Sequence, residues 1–234
     1  LPTAFADIRA VGFDLDGTLI DTLPDLATAL NAMLAQFSHA QLPEARIRSL
    51  VGDGAESLVQ RALAAAAQPG LAPPPAREAL AIFKELYARQ LFSRSRVYPG
   101  VMPTLQALTR AGLALCCITN KDETLAQPLM REAGFEPHLA FTIGTRTRED
   151  RKPRPAMLLR ACARLAVAPA NMIYVGDSTV DMQAARAAGC RAVGVSYGYD
   201  ERIRSGAGDA DALIDTIGAL TSLAGVLPPA GQRS

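Results

Sequence analysis

Histidine is scarce in this chain, with only His39 and His138 among 234 residues. A histidine-based zinc site or a Ser-His-Asp triad is hard to assemble from so few. Cysteine is sparse too, and its four copies show no metal-ligand spacing. Cys116 and Cys117 adjoin inside an apolar run, while Cys162 and Cys190 stand alone in Ala-rich segments, so all four read as reduced, buried thiols. Nor is there a surplus of one charge: 24 Lys and Arg against 23 Asp and Glu leave a net charge of +1. That balance argues against a nucleic-acid partner, which calls for a basic face. The densest cationic stretch, Arg146, Arg148, Arg151 and Lys152, is broken by Glu149 and Asp150 and reads as a solvated loop, with Lys152 set apart below. No apolar run approaches the roughly 20 residues that span a bilayer. Leu1 to Asp7 lacks the basic-then-apolar pattern of a secretory signal. The expectation is a soluble, cytoplasmic protein without a membrane partner, whose chemistry runs on carboxylates.

Four short apolar, β-branched segments stand out: Ile8 to Phe13, Leu113 to Ile118, Met172 to Val175 and Arg191 to Val195. Each reads as a buried strand, and stretches of helical period such as Met157 to Leu165 and Met182 to Ala188 lie between the later ones. This alternation predicts an α/β core with a doubly wound parallel sheet, whose ligands sit at the carboxyl ends of the strands. Between the first two strands the alternation stops for about ninety residues, and the insertion looks helical throughout. Leu23, Leu26, Ala27, Leu30, Met33, Leu34 and Phe37 form one apolar helix face, with Asp21 or Thr22 as its cap and Pro24 in its first turn. Further helices are predicted over Ala55 to Ala67 and Ala76 to Leu91, separated by a Pro-rich connector, and near Pro103 to Arg110. The expected division is a core of residues 1–21 and 97–227, a helical cap of residues 22–96 and a frayed tail of residues 228–234.

The first strand is followed by Asp14-Leu15-Asp16-Gly17-Thr18. Side chains two apart on an extended backbone point the same way, so the two carboxylates converge. Gly17 permits a sharp departure and the approach of backbone N–H groups to an anion. Taken alone, the string also fits a polar turn. After the second strand come Thr119 and Asn120, and further on Lys152 ahead of Pro153. After the third come Gly176, Asp177, Ser178 and then Asp181. Each has a plain structural explanation taken singly. Together they place groups suited to a magnesium-bound phosphate at several strand ends of one sheet.

In this order the motifs resemble the haloacid dehalogenase-like phosphohydrolase superfamily, from Val11 to about Val195. The insertion after the first motif resembles the helical cap of its phosphoglycolate phosphatase and β-phosphoglucomutase branches. Dehalogenases of that superfamily lack the second aspartate, so Asp16 points to phosphoryl chemistry. The resemblance implies that Asp14 is the nucleophile and forms an aspartyl phosphate, with Asp16 as general acid and base. Asp14, the backbone carbonyl of Asp16 and Asp177 hold Mg²⁺ by the same resemblance. Thr18, Thr119, Asn120 and Lys152 serve the phosphate, and Asp181 supports the metal or Lys152.

Leu50 to Ala55 resembles the glycine-containing substrate loop of phosphoglycolate phosphatases, through Gly52, Asp53 and Gly54, and is read as a loop that approaches the active site in preference to a plain inter-helix turn. The implied substrate is a small phosphorylated metabolite, 2-phosphoglycolate first. Asp53 stands where a neutral polar residue is expected, and a carboxylate there needs an offset from Arg48 or Arg61. Phosphatases of sugar phosphates, nucleotides or pyrophosphate are the main alternative. A sugar-phosphate mutase, a phosphonate hydrolase using Lys84 and a non-catalytic binding protein of the same fold follow. Monomer and homodimer are not distinguished.

Overall fold

Alternate residues of the short apolar runs face opposite ways, and this gives the sheet two buried faces. The computed structural model describes residues 5–147, 149–205 and 209–226; the tail predicted at residues 228–234 lies outside them. The chain opens with β1 (Ala10–Phe13) and β2 (Ile20–Asp21), then enters α1 (Leu23–Gln36), α2 (Glu44–Arg48), α3 (Gly54–Ala65) and α4 (Ala76–Arg89). It returns through β3 (Arg96–Val97), α5 (Val101–Arg110), β4 (Ala114–Asp122), α6 (Glu123–Glu132) and β5 (Thr142–Thr145). The remaining elements are α7 (Ala156–Leu165), β6 (Met172–Gly176), α8 (Thr179–Ala188), β7 (Arg191–Val195), β8 (Ala212–Ile214) and α9 (Leu220–Leu223).

Six strands form one sheet in the order β5-β4-β1-β6-β7-β8, and every pairing in it is parallel. Val11, Phe13, Leu115, Ile173, Val175 and Val193 pack on one face with α5, α6 and α9. Ala10, Cys116, Ile118, Met172 and Tyr174 pack on the other with α7 and α8. The chain winds both ways from β1, whose neighbours are β4 and β6. A crevice therefore opens at the carboxyl ends of these three strands, and the three strongest motifs sit on them.

The doubly wound parallel core is as expected, with additions. The segments at 142–145 and 212–214 are edge strands too short to show a period, and the strand predicted to stop at Ile118 runs on to Asp122. Its register shifts between Ile118 and Asp122. That irregularity lets Thr119, Asn120 and Lys121 serve a site while the strand continues. The short helices α2 and α6 also went unpredicted.

The insertion leaves and returns through a two-stranded antiparallel ribbon, with Ile20 opposite Val97 and Asp21 opposite Arg96. Asp25, buried in α1, accepts bonds from the Arg94 and Ser95 backbone N–H groups and the Ser95 hydroxyl, so departure and return are tied together. The four helices share an apolar core built on Leu30, Met33, Leu58, Val59, Phe83 and Tyr87. At the start of α1 one of the two expected caps is in place, since Asp21 Oδ1 accepts the Leu23 N–H at 3.3 Å. Thr22 makes no side-chain cap bond, because its hydroxyl turns to Asp16 at 2.6 Å. The Tyr199 hydroxyl instead accepts the N–H groups of Thr22 (2.7 Å) and Leu23 (3.0 Å) and donates to Asp21 Oδ1 (2.8 Å).

Candidate active site

The first motif turns tightly because the Leu15 carbonyl accepts the N–H groups of Thr18, Leu19 and Ile20, while the Gly17 N–H donates to the Ile20 carbonyl. Gly17 has φ +86°, and a side chain there would collide with the Asp177 carboxylate. Glycine is thus required both by conformation and by the approach of the third motif to the first. The Asp14 N–H donates to the Val175 carbonyl at 2.8 Å, which fixes Asp14 beside the end of β6.

Three buried carboxylates meet here: oxygens of Asp14, Asp177 and Asp181 lie within 4.8 Å of one another. Lys152 enters from the loop before α7 and is 3% exposed. Its Nζ lies 2.8 Å from Asp14 Oδ1, 2.6 Å from Asp181 Oδ1 and 2.7 Å from the Tyr174 hydroxyl. Burial works against the lysine's charge, yet Asp14 and Asp181 outweigh it and hold the ammonium firmly protonated. Burial pushes Asp14 up to about 6; Lys152 opposes this and Asp181 adds to it. Asp177 is raised well above the usual carboxylate range, first by burial and then by repulsion from Asp181 and Asp14. One lysine among three carboxylates leaves an excess of buried negative charge, and an all-oxygen donor set of this kind suits a hard divalent cation. The oxygens of Asp181 are already engaged by Lys152, by the Ser178 hydroxyl and by the Ser178 N–H, the last as part of the capping box of α8. Asp14 gives Oδ1 to Lys152 and Asp177 gives Oδ2 to the Tyr199 N–H, so the second oxygen of each, with the Thr18 hydroxyl 3.5 Å from that of Asp177, could face a cation.

Asp16, two residues beyond Asp14, accepts from Lys121 Nζ with both oxygens, at 3.0 and 3.2 Å. Thr119 lines the same cavity, and its oxygen accepts the Lys121 N–H at 3.2 Å, leaving the hydroxyl proton for another partner.

Two residues expected at the phosphate have protein partners for their side chains. Asn120 donates to the carbonyls of Gly52 and Lys152, each at 3.1 Å, and accepts the Lys152 N–H at 2.8 Å, so its amide braces two loops. The Thr18 hydroxyl is fully buried and points to Asp177 Oδ1 at 3.5 Å.

The insertion closes the cavity with Leu26, Val51, Gly52, Gly54, Ala55, Leu58, Phe83 and Tyr87. Gly54 has φ +82°, and a Cβ there would stand 3.0 Å from the Asn120 carbonyl oxygen. Asp53 faces away, paired with Arg61, and lines an outer cleft with Arg48. Arg61 supplies the offset the sequence called for, while Arg48 lies over the Tyr199 ring. Lys84 is paired with Asp122 at 2.5 Å, across the seam between α4 and the sheet. Arg151 is half-buried against Glu56, which corrects its reading as a solvated loop residue; Arg146 is exposed on Glu123, and Arg148 lies outside the described residues. The four cysteines are buried and free.

Lys121, Tyr174, Tyr87 and Tyr199 were missed as site residues. Lys121 adjoins Thr119 and Asn120 in sequence, and Tyr174 is a hydroxyl inside an apolar strand that needs a partner. Tyr87 and Tyr199 carry no local signal, since they reach the site from distant elements.

A doubly wound parallel sheet with its polar cluster at the switch point defines the class of α/β proteins that take their ligand at the carboxyl ends of the strands. The model of the haloacid dehalogenase-like hydrolases matches residues 8–189. The phosphoglycolate phosphatase of Nitrosospira multiformis is 40% identical over 216 residues, 92% of this chain and 95% of that protein. That of Chromobacterium violaceum is 41% identical over 216 residues, 92% and 96% of the two chains. A crystal structure from Haemophilus somnus 129pt, described as a predicted phosphoglycolate phosphatase, superposes with a TM-score of 0.88 at 32% identity, covering 93% of this chain and 98% of that one. The chain belongs to the haloacid dehalogenase-like hydrolase family, and these relatives set it among the phosphatases of that family.

Proposed function

We propose that the chain is a Mg²⁺-dependent phosphomonoester hydrolase acting through an aspartyl phosphate on Asp14, with 2-phosphoglycolate as substrate. The observation that carries this reading is Asp14 itself, a buried carboxylate 2.8 Å from the Lys152 ammonium and clustered with Asp177. Asp14 attacks phosphorus in line, and the hydroxyl of the Thr119 side chain donates to a transferring oxygen. Asp16 gives a proton to the leaving oxygen and later takes one from the water that hydrolyses the intermediate. Lys152 orients Asp14, and Asp181 with Tyr174 orients Lys152. Asn120 and Thr18 act as struts, holding the Lys152 loop and Asp177. Mg²⁺ would rest on Asp14, Asp177 and the Asp16 carbonyl, supplying charge that lets a carboxylate meet a phosphate; unscreened, one such pair of charges about 4 Å apart repels by about 4 kcal/mol at an effective dielectric near 20.

The substrate reading is supported by the names of the relatives and by Asp53, which is turned to Arg61 and so removes the expected repulsion. The helices of residues 22–96 act as a cap that excludes water during the first step and opens for release. Four free cysteines, and no helix among the described residues long and apolar enough to cross a membrane, support a cytoplasmic setting.

The test is phosphate release from 2-phosphoglycolate beside sugar phosphates, nucleotides and pyrophosphate, with Mg²⁺ and with chelator. Chelator-sensitive turnover with the highest kcat/KM on 2-phosphoglycolate is expected. Preference for another ester would contradict the substrate, and turnover indifferent to chelator would contradict the metal.

A further inference from the structure

Lys121 is the only cation among the described residues that line the cavity. It is 7% exposed. Its ammonium lies between Asp16 and the face of Tyr87, 4.5 Å from the ring centroid. Tyr87 is fully buried, lines the same cavity, and its hydroxyl has no hydrogen-bond partner among the described residues. Lys121 is close enough to act on that hydroxyl, but not in hydrogen-bonding geometry. A buried hydroxyl without a partner costs stability, so a donor kept in a ligand cavity points to an acceptor that arrives with the ligand. The rest of that wall is apolar, through Leu26, Leu58 and Phe83, and offers no hydrogen-bonding group to sugar hydroxyls.

We propose that the Lys121 ammonium and the Tyr87 hydroxyl form a subsite for a carboxylate on the leaving group. This deepens, and rests on, the 2-phosphoglycolate reading above. In that ester a single methylene separates the bridging oxygen from the carboxyl carbon. A cation that holds the carboxylate must therefore sit beside the group that serves the bridging oxygen. Lys121 meets this demand, 3.0 Å from Asp16 Oδ1. When the ammonium turns to the substrate carboxylate, an Asp16 oxygen is released to face the bridging oxygen. The two residues come from opposite sides of the cavity, Lys121 from β4 and Tyr87 from α4, so a carboxylate held by both also draws the insertion onto the sheet.

The test compares kcat/KM for 2-phosphoglycolate with that for ethyl phosphate, which carries a methyl group in place of the carboxylate, in the wild type, K121M, K121R and Y87F. K121M is expected to lose about 10- to 100-fold more on 2-phosphoglycolate than on ethyl phosphate, the scale of a charged hydrogen bond, and K121R to keep most of the preference. Y87F should narrow the preference by about 3- to 10-fold without lowering Tm, because the hydroxyl it removes has no protein partner. Y87F decides the matter even if K121M folds poorly. Equal losses on both esters, or an unchanged preference in Y87F, would overturn the subsite and leave Lys121 only a positioning role on Asp16. Should the wild type prefer another ester altogether, the substrate reading fails. The subsite is then judged by glycolate, which must compete with that ester in the wild type and lose its grip in Y87F; a failure to compete overturns it.

Discussion

The floor and the roof of the cavity are made differently. The floor gathers Asp14, Thr119 and Asp177 from the ends of three adjacent parallel strands, and its charges are buried, paired and braced. The roof is a wall of helices, largely apolar, touching the floor through Gly54 at Asn120 and through Tyr87 at Lys121. The difference separates two tasks. Phosphoryl transfer needs groups fixed before the substrate arrives, which a sheet supplies. Choice of leaving group needs surfaces that meet only when the cavity closes.

The largest expected effect falls on the floor. Asp14→Asn should lower phosphate release on the order of 10⁴-fold or more on every ester, with the fold kept, because Lys152 still has Asp181 and Tyr174. A variant with a tenth of wild-type turnover would break the division at its root. Next, Asp16→Asn should cost about 10²- to 10⁴-fold on alkyl phosphates but far less on p-nitrophenyl phosphate, whose leaving group departs without a proton. Equal losses on both would remove Asp16 from proton transfer.

The floor is also the part of the cavity most legible in the sequence. Asp14, Asp16, Asp177 and Asp181 were legible because each lies within a few residues of an apolar strand, where a parallel sheet must present its ligands. The helical insertion was legible from its period, and Lys152 from the proline beside it together with the family resemblance. Asn120 and Thr18 were singled out for a phosphate, and their side chains meet backbone carbonyls and the Asp177 carboxylate, partners that sequence alone does not show. Tyr199 meets the start of α1 from 177 residues away, and Tyr87 meets Lys121 across the seam. Such contacts exist only in the folded chain. The edge strands at 142–145 and 212–214 were too short to carry a period.

The floor also carries an excess of buried negative charge. Asp14 is raised from 3.8 to about 6, so the ion-free folded state binds more protons than the unfolded chain between those values, and its stability falls as pH rises from about 4 through about 6. Mg²⁺ at about a hundredfold its Kd should raise Tm at pH 7.5 by roughly 5–10 °C, and by less at pH 5, where protons compete for Asp14. A shift that grows toward acid pH would contradict the cluster as the cation site. The smallest effect belongs to the outer roof. Asp53→Ala breaks a half-exposed pair worth about 0–1 kcal/mol and should change kcat/KM less than about threefold. A tenfold change would mean that Asp53 faces the substrate.

On this reading the floor does its chemistry through a covalent bond to Asp14. Acid-quenching the enzyme during turnover of 2-phosphoglycolate and mapping the phosphoryl group by peptide mass spectrometry tests it directly. A phosphoryl adduct on the peptide bearing Asp14, lost with hydroxylamine and absent in Asp14→Asn, is the predicted result; an adduct on another residue, or full turnover with no adduct at any quench time, would contradict it.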